Sequence, residues 1–151
     1  MGIWYQRAEE AKAYIVGKIS ASGKTFERPD FALVLGTCFG SVANTLSDKI
    51  EIPYQEIPHF THSTVSGHAG KLIYCSVEGK KGFIMQGRTH AYEGYETAAV
   101  ILPIRVFALM GTPVVVLTNA AGGLNPSYRV GDFVIITDQM AFFAQSPLIG
   151  E

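Results

Sequence analysis

Apolar positions near the start of the chain follow a helical period. Between Ile3 and Ile19 they recur at steps of three and four residues, which predicts an amphipathic helix. Gly23 and Pro29 are residues that end helices, so we expect a turn before the next element. That element is the unbroken apolar run Phe31–Leu35, which is typical of a strand buried on both faces.

The middle of the chain carries the pattern of antiparallel strands. Lys71–Val77 and Lys81–Met85 are two apolar runs joined by Glu78-Gly79-Lys80, which predicts a hairpin. Before them, the region from Ile50 to Ile57 is less regular and predicts a short edge strand. A short helix is expected from Val42 to Leu46, after the first strand.

The last third of the chain predicts one broken helix and two strands. Thr97 to Met110 is mostly apolar, and Pro103 inside it predicts a break near Leu102. Pro113–Thr118 is expected to be a second fully buried strand, and Asp132–Thr137 a further strand. Helices between the strands favour parallel pairing, whereas the hairpin requires antiparallel pairing. We therefore predict an α/β fold with a mixed, largely parallel central sheet flanked by helices.

Composition limits the classes of protein that the chain can represent. Its 151 residues suit one domain, residues 1–151, with no internal boundary, and 48% hydrophobic against 17% charged residues excludes a disordered chain. A net charge of -1 predicts neither nucleic acid nor an acidic membrane as a partner. No apolar run reaches the roughly 18 residues of a membrane span, and the polar start is no signal peptide. We expect a cytoplasmic protein.

The two cysteines, Cys38 and Cys75, have neither metal-binding spacing nor a disulfide framework around them. This pattern fits a reducing compartment. For Cys38 we favour the role of a small buried filler without redox function.

Three loops follow predicted strands and have a composition that suits anions: Gly36–Gly40, Gln86–Gly94 and Asn119–Gly123. Ligands of open α/β sheets bind outside the carboxyl ends of the strands. If the strands are parallel, the three loops form one composite pocket. Taken alone, Gly36–Gly40 is equally compatible with a tight strand-to-helix connection, although its backbone N–H groups could meet an anion.

The loop after the hairpin concentrates chemistry. Arg88 offers a planar, permanently charged fork for phosphate or carboxylate, and His90 can exchange a proton near neutral pH. Glu93 could hold the His90 ring in one tautomer, and Tyr92 offers a flat face against a sugar. The alternative is a surface loop with a structural Arg–Glu pair. Of the two histidines upstream, His62 is expected to be merely solvated, whereas His68 lies between glycines that would let a ligand approach.

Three motifs together resemble a known family: Gly67–Gly70 (GHAG), Gln86–Tyr95 (QGRTHAYEGY) and Thr118–Pro126 (TNAAGGLNP). In order and spacing they are similar to the purine nucleoside phosphorylases of the trimeric class, over the chain from about Phe31 onward. The related methylthioadenosine phosphorylases share the fold, but Tyr92-Glu93-Gly94-Tyr95 favours the purine nucleoside branch.

The resemblance implies reversible phosphorolysis, in which inorganic phosphate attacks the anomeric carbon of a purine nucleoside to give free base and ribose 1-phosphate. It implies a homotrimer, no metal and no organic cofactor, with phosphate as co-substrate. The catalytic residues it implies are His90 and Glu93, and it places Tyr92 against the ribose. Phosphate would be bound by Thr37, His68, Arg88, His90 and the backbone of Ala120. Ala121 and Gly122 would form a wall beside the base.

The chain departs from the family in two respects. Gly36-Thr37-Cys38-Phe39-Gly40 stands where the family usually reads Gly-Ser-Gly-Leu-Gly, and losing the middle glycine removes backbone freedom from the turn. Family members are also nearly twice as long, so we expect the chain to correspond to their N-terminal half, without the residues that recognise the base.

Three alternatives to a phosphorylase of this branch stay open. One is a non-catalytic phosphate- or nucleotide-binding module, and another is a methylthioadenosine phosphorylase relative. A dinucleotide-binding domain is the weakest, because Gly36–Gly40 does not fit the G-x-G-x-x-G pattern.

Overall fold

The computed structural model describes residues 2–62, 70–142 and 146–147. Its first element is helix α1, Ile3–Ala21, which confirms the helix predicted from periodicity. Its buried side chains follow the three- and four-residue steps of the sequence: Ala8, Ala11, Ile15 and Ile19. One stripe of α1 therefore faces the core, and the rest is solvated.

A five-stranded mixed sheet forms the centre of the fold, in the order β2-β3-β4-β1-β5. The strands are β1 Phe31–Leu35, β2 Lys49–Pro53, β3 Lys71–Val77, β4 Lys80–Gln86 and β5 Val115–Leu117. β1 pairs in parallel with both β4 and β5, whereas β3 pairs antiparallel with β2 and β4. The mixed sheet and the edge position of β2 confirm the prediction. Because β1, β4 and β5 are parallel, their carboxyl ends lie at the same edge.

Side chains alternate between two hydrophobic clusters, one on each face of the sheet. α1 and the later helix α3, Leu102–Leu109, pack on one face, over strand residues that include Val34, Tyr74 and Phe83. On the other face, Leu35, Ile73, Cys75 and Ile84 surround Ala43 of a 3-10 helix, Gly40–Thr45. The sheet thus lies between two layers, as the predicted fold class requires.

The hairpin between β3 and β4 turns within two residues. Glu78 and Gly79 both have positive φ, 49° and 78°, as a type I′ turn requires. The register runs from Val77 opposite Lys80 to Lys71 opposite Gln86, so the hairpin ends beside the carboxyl end of β4.

Pro103 divides the helical region as predicted. Helix α2, Thr97–Val100, ends before Ile101, and α3 begins at Leu102 with the proline in its first turn. A first-turn position is favourable because proline there lacks an N–H that would have no helical partner anyway.

The helix predicted from Val42 to Leu46 is instead the 3-10 helix Gly40–Thr45. The Val42 N–H already bonds the Phe39 carbonyl three residues earlier, at 3.0 Å. So short a segment cannot offset the cost of nucleating an α-helix, and tighter 3-10 bonds form at the end of the loop.

The prediction of a fully buried strand at Pro113–Thr118 is wrong in extent and in burial. β5 comprises Val115–Leu117, and 66% of the Leu117 surface is exposed. β5 pairs with β1 on one side and forms the outer edge of the sheet in the part of the chain that is described. No described strand lies on the other side of β5, which leaves apolar side chains there exposed.

The strand predicted at Asp132–Thr137 is also wrong. Residues 118–142, all of them described, contain neither helix nor strand. Apolar side chains of this segment face solvent, and Ile135 is 89% exposed. An apolar run becomes a strand only when its backbone finds a ladder partner, and this segment pairs with no strand of the sheet.

None of the helices among the described residues combines the length and the apolarity needed to cross a membrane.

Candidate functional site

The loops after three parallel strands meet at Thr118. The backbone N–H of Gly36, just after β1, donates to Thr118 Oγ1 at 2.9 Å. Arg88, in the loop after β4, donates from Nη1 to the Thr118 carbonyl at 2.6 Å. Thr118 itself follows β5, and its own N–H and hydroxyl both donate to the Val34 carbonyl at 3.0 Å. The ends of the three parallel strands are therefore joined by hydrogen bonds at one edge of the sheet.

Glycine is required at position 36 because the backbone of Thr118 and Asn119 approaches it closely. A Cβ added there would lie 2.2 Å from the Thr118 carbonyl oxygen and 3.0 Å from the Asn119 Cα, both backbone atoms. A second bond ties the same loops together, since Gln86 Nε2 donates to the Gly40 carbonyl at 2.9 Å. The β1 and β4 loops thus hold each other in register.

The β1 loop forms a tight turn with a strained residue. Phe39 N–H donates to the Gly36 carbonyl at 3.2 Å, and Cys38 has a φ of 74°. Positive φ at the third residue of a turn is the type II requirement that glycine meets without strain. The expected loss of backbone freedom is thus real. Cys38 is exposed, so its prediction as a buried filler was wrong: the turn directs its tip outward.

Thr37, the residue before Cys38, is likewise exposed at the tip of the turn. Thr37 is therefore accessible at this edge of the sheet.

Glu93 holds His90 through the backbone. Its carboxylate oxygen Oε1 accepts the His90 N–H at 2.7 Å, and the Glu93 N–H donates to the His90 carbonyl at 3.0 Å. This reciprocal pair begins the 3-10 turn Ala91–Glu93, which Gly94 ends with a φ of 87°. The sequence-based hypothesis assigned Glu93 to the His90 ring. The bond from the His90 N–H to the Glu93 carboxylate fixes the backbone of His90.

The His90 and Tyr92 rings stack. Their centroids are 4.8 Å apart and their planes differ by 10°. Tyr92 is 75% exposed, so it presents an accessible aromatic surface beside the imidazole. A flat, apolar face with a polar tip is suited to pack on a sugar.

Tyr54 holds the start of the same loop at Gly87. This contact was not predicted from the sequence. The Tyr54 hydroxyl donates to the Gly87 carbonyl at 2.8 Å, where Gly87 has a φ of 95°. Burial raises the pKa of the Tyr54 phenol, so the hydroxyl stays protonated and remains a donor. A tyrosine between two short apolar runs gives no local signal of this role.

Thr118 was also missed as a central residue, although a signal for it exists. It is a polar residue directly after the apolar run Val114–Leu117 and before the small residues of Asn119–Gly123. A hydroxyl placed where a buried run ends is positioned to satisfy backbone groups of a neighbouring strand.

The other predicted site residues are distributed differently. Ala120, Ala121 and Gly122 are exposed in the segment that follows Thr118. His68 lies outside the described residues. His62 is exposed, as expected, and its carbonyl accepts a bond from the Tyr95 hydroxyl at 3.0 Å.

The chemistry of this edge suits an anion, because it combines a permanent positive charge with neutral donors. Arg88 supplies the charge, and the exposed Thr37 hydroxyl is a neutral donor on the neighbouring turn. Among the described residues, no group of three or more His, Cys, Asp or Glu side chains is placed to hold a metal ion.

Comparison with known proteins agrees with these motifs. A family model described as the phosphorylase superfamily matches residues 30–151. Purine nucleoside phosphorylase 1 of Bacillus subtilis is 41% identical over 144 residues, which are 95% of this chain and 51% of that protein. Purine nucleoside phosphorylase of Bos taurus is 44% identical over 129 residues, 83% of this chain and 45% of the relative.

Solved structures show the same likeness. Isoform 2 of Schistosoma mansoni purine nucleoside phosphorylase, in complex with cytosine and ribose 1-phosphate, superposes with a TM-score of 0.75 at 40% identity. The alignment covers 86% of this chain and 44% of that one. The chain spans about half the length of these relatives. The resemblance drawn from the three sequence motifs is confirmed.

Proposed function

Because the chain belongs to the phosphorylase superfamily, we propose that it supplies the phosphate and ribose side of a purine nucleoside phosphorylase site. The reaction is the reversible exchange of a purine base for phosphate at the anomeric carbon of the nucleoside. One observation carries the proposal: Arg88 and the Gly36 turn converge on Thr118 at the carboxyl edge of three parallel strands. This is the edge at which open α/β sheets bind ligands.

Phosphate binds between the β1 turn and Arg88. The Arg88 guanidinium provides a permanent charge, and the exposed Thr37 hydroxyl approaches from the neighbouring turn. His90 and the Ala120 backbone N–H complete the set, with His68 as a further ligand. A single arginine with neutral donors binds the anion without quenching its nucleophilicity.

The ribose packs on Tyr92. Its ring is accessible and stacked on His90, so the sugar lies next to the phosphate ligands. Glu93 is essential through His90, whose backbone it fixes. Ala121 and Gly122 are small enough to form a wall beside a flat base.

The chemistry follows from this arrangement. As the bond between the anomeric carbon and the base breaks, its electron pair leaves with the base and the sugar becomes oxocarbenium-like. The bound phosphate stabilises that positive charge and then forms the new C–O bond. The protein contributes mainly by positioning the anion on one face of the sugar.

Base release from inosine tests the proposal, measured on this chain with and without inorganic phosphate. Phosphate-dependent release supports phosphorolysis. Phosphate-independent release contradicts it and indicates hydrolysis. If no base is released but phosphate binds, the result supports the second candidate below.

Arginine variants sharpen the test. Arg88→Ala should abolish phosphate-dependent release, because the fixed charge at the anion is lost. Arg28→Ala is the matched control: Arg28 also donates to a backbone carbonyl, that of Gly111 at 2.8 Å, but it precedes β1 at the opposite edge. Equal losses in both variants would contradict a specific role for Arg88.

The second candidate is a non-catalytic phosphate-binding module. The exposure of Ala120, Ala121 and Gly122 favours it, since a base wall in this state lacks an opposing surface. Both candidates predict weaker phosphate binding in Arg88→Ala. Phosphorolysis alone predicts that Tyr92→Ala lowers base release while phosphate binding is retained.

The family likeness also supports a homotrimer, a cytoplasmic location and one domain that extends through residues 1–151. Light scattering during size-exclusion chromatography tests the trimer, which requires three times the mass of one chain. A monomer at all concentrations would contradict it.

A further inference from the structure

Thr89 is a buried side chain that carries a hydroxyl, with 8% of its surface exposed. It lies between Arg88 and His90, both of them assigned above to the phosphate. Its hydroxyl is 2.6 Å from the hydroxyl of Thr61, a residue from a distant part of the chain. A buried hydroxyl without a hydrogen-bond partner destabilises a protein. The Thr61 and Thr89 hydroxyls therefore depend on each other as hydrogen-bond partners.

The side chains on either side of Thr89, Arg88 and His90, are less buried than Thr89 itself. Arg88 donates to the Thr118 carbonyl at the sheet edge, and the His90 ring stacks on the exposed Tyr92 ring. Thr89 instead packs into the protein. With Thr89 held inward, its neighbours on either side point the other way, as successive side chains of an extended chain do.

The residues just before Thr61 contact α1 and the hydrophobic core. Thr61 belongs to residues 59–62, a segment joined to α1 through His59 Nε2 and Glu10 Oε2, 2.6 Å apart. Phe60 is buried, and its ring lies 5.8 Å from that of Tyr54. In the same segment, the His62 carbonyl accepts a hydrogen bond from the Tyr95 hydroxyl.

Residues 59–62 therefore contact the loop after β4 at Thr89, contact Tyr95 just beyond that loop, and form an ion pair with α1. Tyr54, just upstream, adds a third contact at Gly87. The part of the loop that these contacts span contains Arg88, His90, Tyr92 and Glu93.

We propose that Thr61, acting through the buried Thr89 hydroxyl, is a positioning residue that holds Arg88 and His90 towards the bound phosphate. The inference rests on the proposed function, since it assigns these two side chains to phosphate. It adds a residue about 30 positions upstream that touches neither phosphate nor sugar.

Isosteric variants of the full chain test the pair. Thr61→Val keeps the shape, removes the hydroxyl and leaves Thr89 unsatisfied, so phosphate affinity, measured by calorimetry, should fall about tenfold. Thr61→Ser should restore wild-type affinity. Thr45→Val is the matched control, because the Thr45 hydroxyl bonds the Val42 carbonyl at an exposed site away from the loop.

The effect must pass through Arg88. In an Arg88→Lys background, Thr61→Val should weaken phosphate binding less than in the wild type, since the two changes disturb one interaction. Full additivity would overturn the proposal and leave Thr61 with a role in stability alone. An unchanged phosphate affinity in Thr61→Val would overturn it as well.

Hydrogen exchange of the His90 amide separates this inference from the proposed function. That amide bonds Glu93, so its exchange reports the local geometry of the loop without phosphate. Thr61→Val should accelerate its exchange, and Thr45→Val should leave it unchanged. A chain that binds no phosphate contradicts the proposed function, and unchanged exchange in Thr61→Val then contradicts the positioning role too.

Discussion

Two regions of the chain contain similar apolar residues, but the first region buries them and the second leaves them exposed. In the region from α1 to α3, the buried apolar side chains form a cluster on each face of the sheet. From residue 118 to residue 142, apolar side chains of the same types lie in solvent: Leu124, Val130, Phe133, Ile135 and Met140. The difference is the availability of a partner surface. Composition provides the tendency to be buried, but backbone pairing and a facing layer decide whether burial occurs.

The candidate site lies across the boundary between these regions. Its Arg88 and Gly36 components are anchored in the packed region, whereas Ala120 and Gly122 follow Thr118 into the exposed one. Thr118 joins the two. The site therefore combines a packed part, which contains Arg88 and Gly36, with an exposed part, which contains Ala120 and Gly122.

The largest expected contrast is between two phenylalanines. Phe83 is fully buried and its ring stacks on Phe107 at 5.6 Å, while Phe133 is 85% exposed. Phe83→Ala should lower the free energy of unfolding by about 3–5 kcal/mol, because it leaves a core cavity. Phe133→Ala should change it by less than about 1 kcal/mol, because the Phe133 ring lies 6.0 Å from the Phe39 ring but is otherwise exposed.

Urea denaturation measures both phenylalanine variants, and Phe83→Leu provides a milder change if Phe83→Ala does not fold. A similar loss in Phe83→Leu and in Phe133→Leu would show that the exposed segment is packed in solution, and the comparison would then fail.

A glycine pair tests whether the organised side of the site depends on close approach. Gly36→Ala should destabilise the protein by about 1–3 kcal/mol, because the new Cβ meets backbone atoms that cannot move aside. Gly40, in the same loop, has nothing within 4 Å of an added Cβ. Thermal unfolding should therefore distinguish Gly36→Ala from a nearly unchanged Gly40→Ala, and equal melting temperatures would refute the close contact.

Relief of the strained turn should have a smaller effect of opposite sign. Cys38 has a φ of 74°, which glycine adopts freely, so Cys38→Gly should stabilise the protein. The greater flexibility of glycine in the unfolded chain offsets part of this, and a net gain of about 0.5–1 kcal/mol is expected. Thermal unfolding measures it, with Cys38→Ala as the control that removes the thiol but keeps the strain. A gain in Cys38→Ala as large as in Cys38→Gly would mean that the thiol, rather than the backbone, is responsible.

The smallest effect concerns charge at the antiparallel edge of the packed region. The Lys71 ammonium, 2.7 Å from the Glu51 carboxylate, and then Lys49 hold the pKa of Glu51 below its ordinary value of 4.5. A lowered pKa stabilises the folded state above about pH 4.5, and this contribution is lost as pH falls through the folded-state pKa.

Glu51→Gln should therefore make the melting temperature slightly less dependent on pH on the acid side. Lys71→Gln, which removes the other member of the ion pair, should do the same. If both variants keep the wild-type slope below pH 4.5, the ion pair does not contribute to stability.

Much of the packed region could be predicted from the sequence because its signals are local. The period of α1, the two-residue turn at Glu78-Gly79 and the break caused by Pro103 each follow from a few neighbouring residues. The parallel pairing of β1 and β5 followed from the elements between them. Their loops were consequently expected at one edge, where they are found.

The errors concern features that depend on distant residues. Pro113–Thr118 and Asp132–Thr137 both have strand-like patterns, but no local signal shows whether another strand will pair with them. Thr118, Tyr54 and Thr61 were missed for the same reason, since each acts through a bond to a residue at least 28 positions away. Cys38 was placed inside because of its size, whereas the turn that contains it points outward.

Direct calorimetric titration of this chain with inorganic phosphate tests the central claim that the organised strand edge is a phosphate site. We predict saturable binding that weakens about 10–100-fold in Arg88→Ala, as loss of a charged hydrogen-bonding group implies, and is unchanged in Arg28→Ala. Absence of binding to the wild-type chain, or equal weakening in the two arginine variants, would contradict the claim.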